Sequence, residues 1–218
     1  MSVQPTSETA SGWRAPPVVW ALVGSIALGF IVFALAPREL QNAIDYAFAL
    51  IPARFHSDGA LRFQHWYEPA GPIFGHAFLH VAWWHAALNA FFLFLTARLP
   101  AMRLGAWRFL VLFFASAAGG ALAFLALNWN SQDFAIGASG AVCGVFIAYF
   151  LALRPTWVQA LAEPAIRNQL GAIFFLNVVL MGVAAESGFL PIAWEAHLGG
   201  FIGGAIAYVA LAPRARWT

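Results

Sequence analysis

Six apolar runs, near residues 18–36, 77–97, 107–127, 138–153, 169–185 and 192–211, leave this chain few folds to choose from. At a helical rise of about 1.5 Å per residue, about 20 such residues match the ~30 Å core of a bilayer. Within lipid every backbone N–H and C=O must find a partner inside the protein, so runs of this kind become helices. The fold expected is an all-α integral membrane protein with six transmembrane helices, the run 138–153 being short and starting within the membrane. Composition agrees, with 62% hydrophobic and 9% charged residues against roughly 25% charged in a soluble domain. The net charge of +2, without a basic cluster that interleaves aromatics, gives no nucleic-acid surface. The single cysteine, Cys143, excludes an internal disulfide.

Residues 1–17 are polar and rich in Ser, Thr and Pro, and are expected to be a disordered cytoplasmic N-terminus. The run 18–36 is longer than the roughly 7–15 residues of a signal-peptide core, so it reads as a retained first span. Residues 18–211 then form one membrane domain, and 212–218 a cytoplasmic C-terminal tail. The longest connection, 37–76, mixes charge with apolar patches ("ELQNAIDYAFALIPARF") and predicts an interfacial amphipathic helix. No internal repeat supports a transporter built from duplicated halves.

All the cationic side chains are arginines, and their placement sets the orientation. Arg14, Arg98, Arg103, Arg108, Arg154, Arg167, Arg214 and Arg216 fall on the side of the N-terminus, and only Arg38, Arg54 and Arg62 on the other. Both termini are therefore expected in the cytoplasm. Trp83, Trp84, Trp129 and Trp194 mark the outer boundary, Trp107 and Trp217 the inner one. High alanine content with no lysine resembles high-GC bacterial coding, a compositional cue only, and the membrane expected is a bacterial inner membrane.

With that orientation the second, fourth and sixth spans all start on the outer side, and each carries its polar residues in its first turns. These are His80, His85 and Asn89; Ser139; and His197. Polar groups inside a membrane are costly and default to a functional reading. Serine becomes a nucleophile when a base removes its proton, and histidine is the usual base. Close approach of Ser139 to His197 is favoured by small residues on both helices: Gly140 and Gly144 on one, Gly199, Gly200, Gly203 and Gly204 on the other. His85 and Asn89, four apart, share a helix face and can donate to an oxyanion, as can the backbone N–H of Ser139. His80 points elsewhere, near the helix mouth.

"HVAWWHAALN" at 80–89, "GASG" at 137–140 and "AHLGGFIGG" at 196–204 together resemble the rhomboid family of intramembrane serine proteases in its bacterial six-span form. The resemblance covers roughly 18–211. It implies a serine endopeptidase that cleaves transmembrane segments near the outer face through an acyl-enzyme. Ser139 would be the nucleophile, His197 the general base, and His85 and Asn89 the oxyanion-stabilising side chains. His80, Gly137, Gly140 and Gly200 would hold structural motif positions. Single-span membrane proteins are the implied substrates, lipid the other partner, and no cofactor is implied. The fifth span and the loop 186–191 would act as a mobile cover. Two positions depart from the family pattern: Gly71 and Pro72 stand where many members carry Trp-Arg, and Cys143 where some carry an aromatic.

Blander readings remain beside these. Ser139 could be a small packing residue, and His85 and Asn89 could merely tie helices together. His56, His65 and His76 are expected to be interfacial or solvated, Asp133 solvated, and Cys143 an apolar filler. Glu195 sits across the helix from His197 and is not expected to orient it. His80, His85 and His197 could be imagined on zinc, but the five-residue step from His80 to His85 does not suit two ligands on one helix, and no metal is expected. A proteolytically inactive relative that binds transmembrane helices is the alternative function.

Overall fold

The computed structural model describes residues 15–56 and 63–212. The expected N-terminal segment through residue 14, the tail from 213, and Arg14, Arg62, Arg214, Arg216 and Trp217 lie outside the described residues. The helices are α1 (Pro17–Leu35), α2 (Arg38–Phe48), α3 (Trp83–Leu104), α4 (Ala106–Leu127), α5 (Ser139–Leu151), α6 (Trp157–Ala162), α7 (Pro164–Phe174), α8 (Met181–Glu186) and α9 (Trp194–Leu211). A π-turn, Phe175–Leu180, joins α7 to α8 in one continuous rod. Among the described residues the only β-pairing is an isolated bridge between Leu50 and Ala135.

Among the described residues four helices are long and apolar enough to cross a membrane: Pro17–Leu35, Trp83–Leu104, Ala106–Leu127 and Pro164–Glu186. The other two expected spans correspond to α5, of 13 residues, and α9, of 18 residues with Glu195 and His197 in its first turns. At about 1.5 Å per residue α5 covers only about two-thirds of a bilayer core. Its helix stops at Leu151, before a turn that leads into Pro155.

The direction of each helix follows from which residues touch. A Cβ on Gly140 would lie 2.9 Å from the Ala196 carbonyl oxygen, and one on Gly200 would overlap the Gly140 carbonyl. One on Gly204 would overlap Gly144. Positions 140 and 144 therefore match 196 to 204 in rising order, so α5 and α9 run parallel. Gly119 meets Gly199 and Gly203, whereas Gly120 meets Ala196 and Gly140, so α4 runs antiparallel to both. Small residues let these three backbones touch. Side by side with α5 runs α3, through His85 near Gly137 and Phe92 against Phe146. α1 packs on α3, with Trp20 and Phe94 ring centroids 4.8 Å apart. The first turns of α3, α5 and α9 consequently share one end of the bundle. Arg103, Arg154, Glu163 and Arg167 gather at the other, where Arg103 donates to the Arg154 carbonyl and Arg154 pairs with Glu163.

The first connection begins as expected with an amphipathic helix: α2 exposes Leu40, Tyr46 and Phe48. It then folds back as a short 3₁₀ turn (Pro52–Phe55), and after 63 as a π-turn (Gly71–Gly75) and a 3₁₀ turn (His76–Phe78). Gly71 and Gly75 permit this return, because a side chain at Gly71 would lie 2.6 Å from the Ala47 carbonyl oxygen and one at Gly75 would overlap the Phe48 ring.

Candidate active site

Ser139 is the first residue of α5, so its N–H belongs to the first-turn donors that lack an intrahelical carbonyl. The preceding loop is anchored along its length by the first connection. Leu50 and Ala135 exchange backbone hydrogen bonds at 3.1 and 3.0 Å, Ala53 N–H donates to Ser131 at 3.1 Å, and Gly137 N–H donates to the His76 carbonyl at 2.8 Å. His56, exposed, stacks on Trp129 with centroids 4.9 Å apart. The entry to the helix is thus fixed from outside the glycine-packed trio.

Gly137 has φ +120°, a left-handed region that disfavours any side chain. A Cβ there would also lie 2.6 Å from His85 Cε1 and 2.9 Å from His85 Nε2. The His85 ring is therefore pressed against the backbone two residues before Ser139. His80 is fully buried, and its Nε2 accepts the Ala138 N–H at 3.3 Å. It braces the serine loop, and its ring lies edge-on to His85 with centroids 4.9 Å apart. Asn89 is buried and its side-chain amide donates to the His85 carbonyl at 3.0 Å, which leaves one amide hydrogen for another acceptor.

His197 is buried at 8% exposure. Its Nδ1 lies 2.9 Å from the Asn177 carbonyl oxygen, in the π-turn of the fifth apolar helix. A carbonyl only accepts, so Nδ1 carries the proton and Nε2 is left as the basic nitrogen. Ser139 is half-buried, and its neighbour Gly140 touches Ala196, the neighbour of His197. Among the described residues Ser139 Oγ makes no hydrogen bond to His197.

Several expectations need correction or completion. His76, expected to be interfacial or solvated, is buried at 3% exposure with Nδ1 donating to the Pro72 carbonyl at 2.7 Å. The turns that fold the first connection under the serine loop enclose it. Glu195 is buried too, and it accepts from the Asn128 side chain at 2.8 Å, so it ties α9 to the end of α4. Asp133 is exposed and bonds only locally to Ser131. Cys143 is buried against Val178 and Phe201. His80, His85 and His197 form no metal-ligand cluster among the described residues. Sequence reasoning missed Asn177, although it is the lone polar side chain between Gln169 and Glu186 in that run.

A family model described as the Rhomboid domain matches residues 64–214. The chain belongs to the rhomboid family. No curated protein matches it in a search of such sequences. Membership of this family, together with the long apolar helices, makes it an integral membrane protein with an intramembrane protease-type scaffold. Most rhomboids are intramembrane serine proteases and some are inactive, so the activity of this rhomboid turns on its site residues.

Proposed function

We propose that this rhomboid is an intramembrane serine endopeptidase of the six-span form, with α5 and α9 as its short fourth and its sixth spans. Ser139 Oγ attacks the scissile carbonyl while His197 Nε2 takes its proton. The negative charge that develops is met by the Ser139 N–H, the His85 ring and the free amide hydrogen of Asn89. His197 then protonates the leaving amine, and water hydrolyses the serine ester. His80, Gly137, Gly140 and Gly200 shape the site without reacting, and no cofactor takes part. The substrates are single-span membrane proteins, cut near the outer face of a bacterial inner membrane with both termini of the enzyme in the cytoplasm. Arginines clustered at the end opposite the site support that orientation.

The observation that carries this reading is the register of α5 on α9. Gly140 and Ala196 in contact bring residues 139 and 197 to one level, and His197 presents Nε2 as the open nitrogen. A second reading, a rhomboid that binds transmembrane helices without cutting them, is favoured by the missing Ser139–His197 hydrogen bond. Incubation of the solubilised protein with a panel of transmembrane peptides, followed by mass mapping, separates the two. The protease reading expects cuts that Ser139→Ala abolishes. Peptide binding without cuts in the wild type establishes the second reading.

A further inference from the structure

Within the long apolar helix from Pro164 to Glu186, the backbone widens into a π-turn at Phe175–Leu180. Such widenings inside α-helices are uncommon and gather at functional sites. Here the Met181 N–H reaches back to the Leu176 carbonyl, five residues away. The Asn177 side-chain amide donates to the Ile173 carbonyl, one turn back, at 2.9 Å. The Asn177 carbonyl, turned out of the helix, accepts from His197 Nδ1.

We propose that this π-turn is the orienting element of His197, with Asn177 as its positioning residue. The inference rests on the reading of His197 as the general base. The Asn177 carbonyl stands where a triad would place a carboxylate. It fixes the tautomer without bringing an ionised group into an apolar membrane site, where one would be costly. Glu195, the acid nearest in sequence, is engaged by Asn128. No aromatic ring stacks on His197 among the described residues, and the nearby position 143 holds a cysteine packed on Val178. Only 11% of the apolar window in Pro164–Glu186 is buried, so the hydrogen bond lasts only while this lightly packed helix stays seated. The Asn177 side chain sets the conformation that aims its own carbonyl.

The full-length protein with Asn177→Leu, Asn177→Thr or deletion of Val179 tests this. Leucine removes the amide donor at similar volume, threonine keeps a hydroxyl able to bond the Ile173 carbonyl, and the deletion removes the extra residue of the wide turn. ¹⁵N spectra of histidine-labelled protein, with the His197 signal identified by its loss in His197→Gln, are expected to show Nδ1 protonated in the wild type. Asn177→Leu and the deletion lose that single tautomer, and kcat falls by about 100-fold while KM stays within about twofold. Asn177→Thr restores kcat to within about fivefold of wild type. Wild-type tautomer and kcat in either folded variant lacking the amide or the extra residue overturn the proposal. Ser139→Ala in the same assay keeps the two failures apart: if it still cleaves, the protease reading fails, and the tautomer spectra test the orientation of His197 on their own.

Discussion

α4 and the rod Pro164–Glu186 are nearly equal in length, at 22 and 23 residues, and both are apolar enough to span, yet 44% of one window is buried and only 11% of the other. The difference lies in what their small residues touch. Gly119 and Gly120 of α4 leave no room for a methyl group beside Gly199 and Ala196, whereas Gly171 of α7 has nothing within 4 Å. Hydropathy sends both helices into the membrane, and backbone contact decides which of them becomes the rigid frame. The candidate nucleophile rides on that frame, and the group that orients its partner rides on the loose helix.

Substitutions on the two sides of this divide should differ in cost by several fold. Gly200→Leu drives a side chain into the Gly140 carbonyl and is expected to lose about 3 kcal/mol or more, measured by denaturant unfolding in mixed micelles. Asn128→Leu strips the buried Glu195 of its donor, at an expected cost of about 2 kcal/mol on the same assay. Gly171→Ala and Val183→Ala, on the open helix where Val183 is 63% exposed, should each stay within about 0.5 kcal/mol of wild type. Equal losses at Gly200 and Gly171 would erase the contrast between frame and loose helix.

The frame could be read from sequence because its cues are local and repeat with the helix. Glycines four apart on 140–144 and 200–204 mark faces that meet, and His85, Asn89, Ser139 and His197 announce themselves as polar residues in apolar runs. What escaped depends on contacts far apart along the chain. His76 looks like an end-of-loop residue until the first connection folds beneath Gly137 and encloses it. Glu195 looks idle until Asn128, at the far end of α4, reaches it. Asn177 did carry a signal, as a single amide in an apolar run. Its working group is a backbone carbonyl, however, and a carbonyl exists at every position.

Fluorophosphonate labelling with the adduct mapped by mass spectrometry tests the central pairing of residues 139 and 197 most directly. The expected result is a wild-type adduct on Ser139 that disappears in Ser139→Ala and in His197→Ala. An adduct on another residue, or labelling left unchanged by both substitutions, would contradict it.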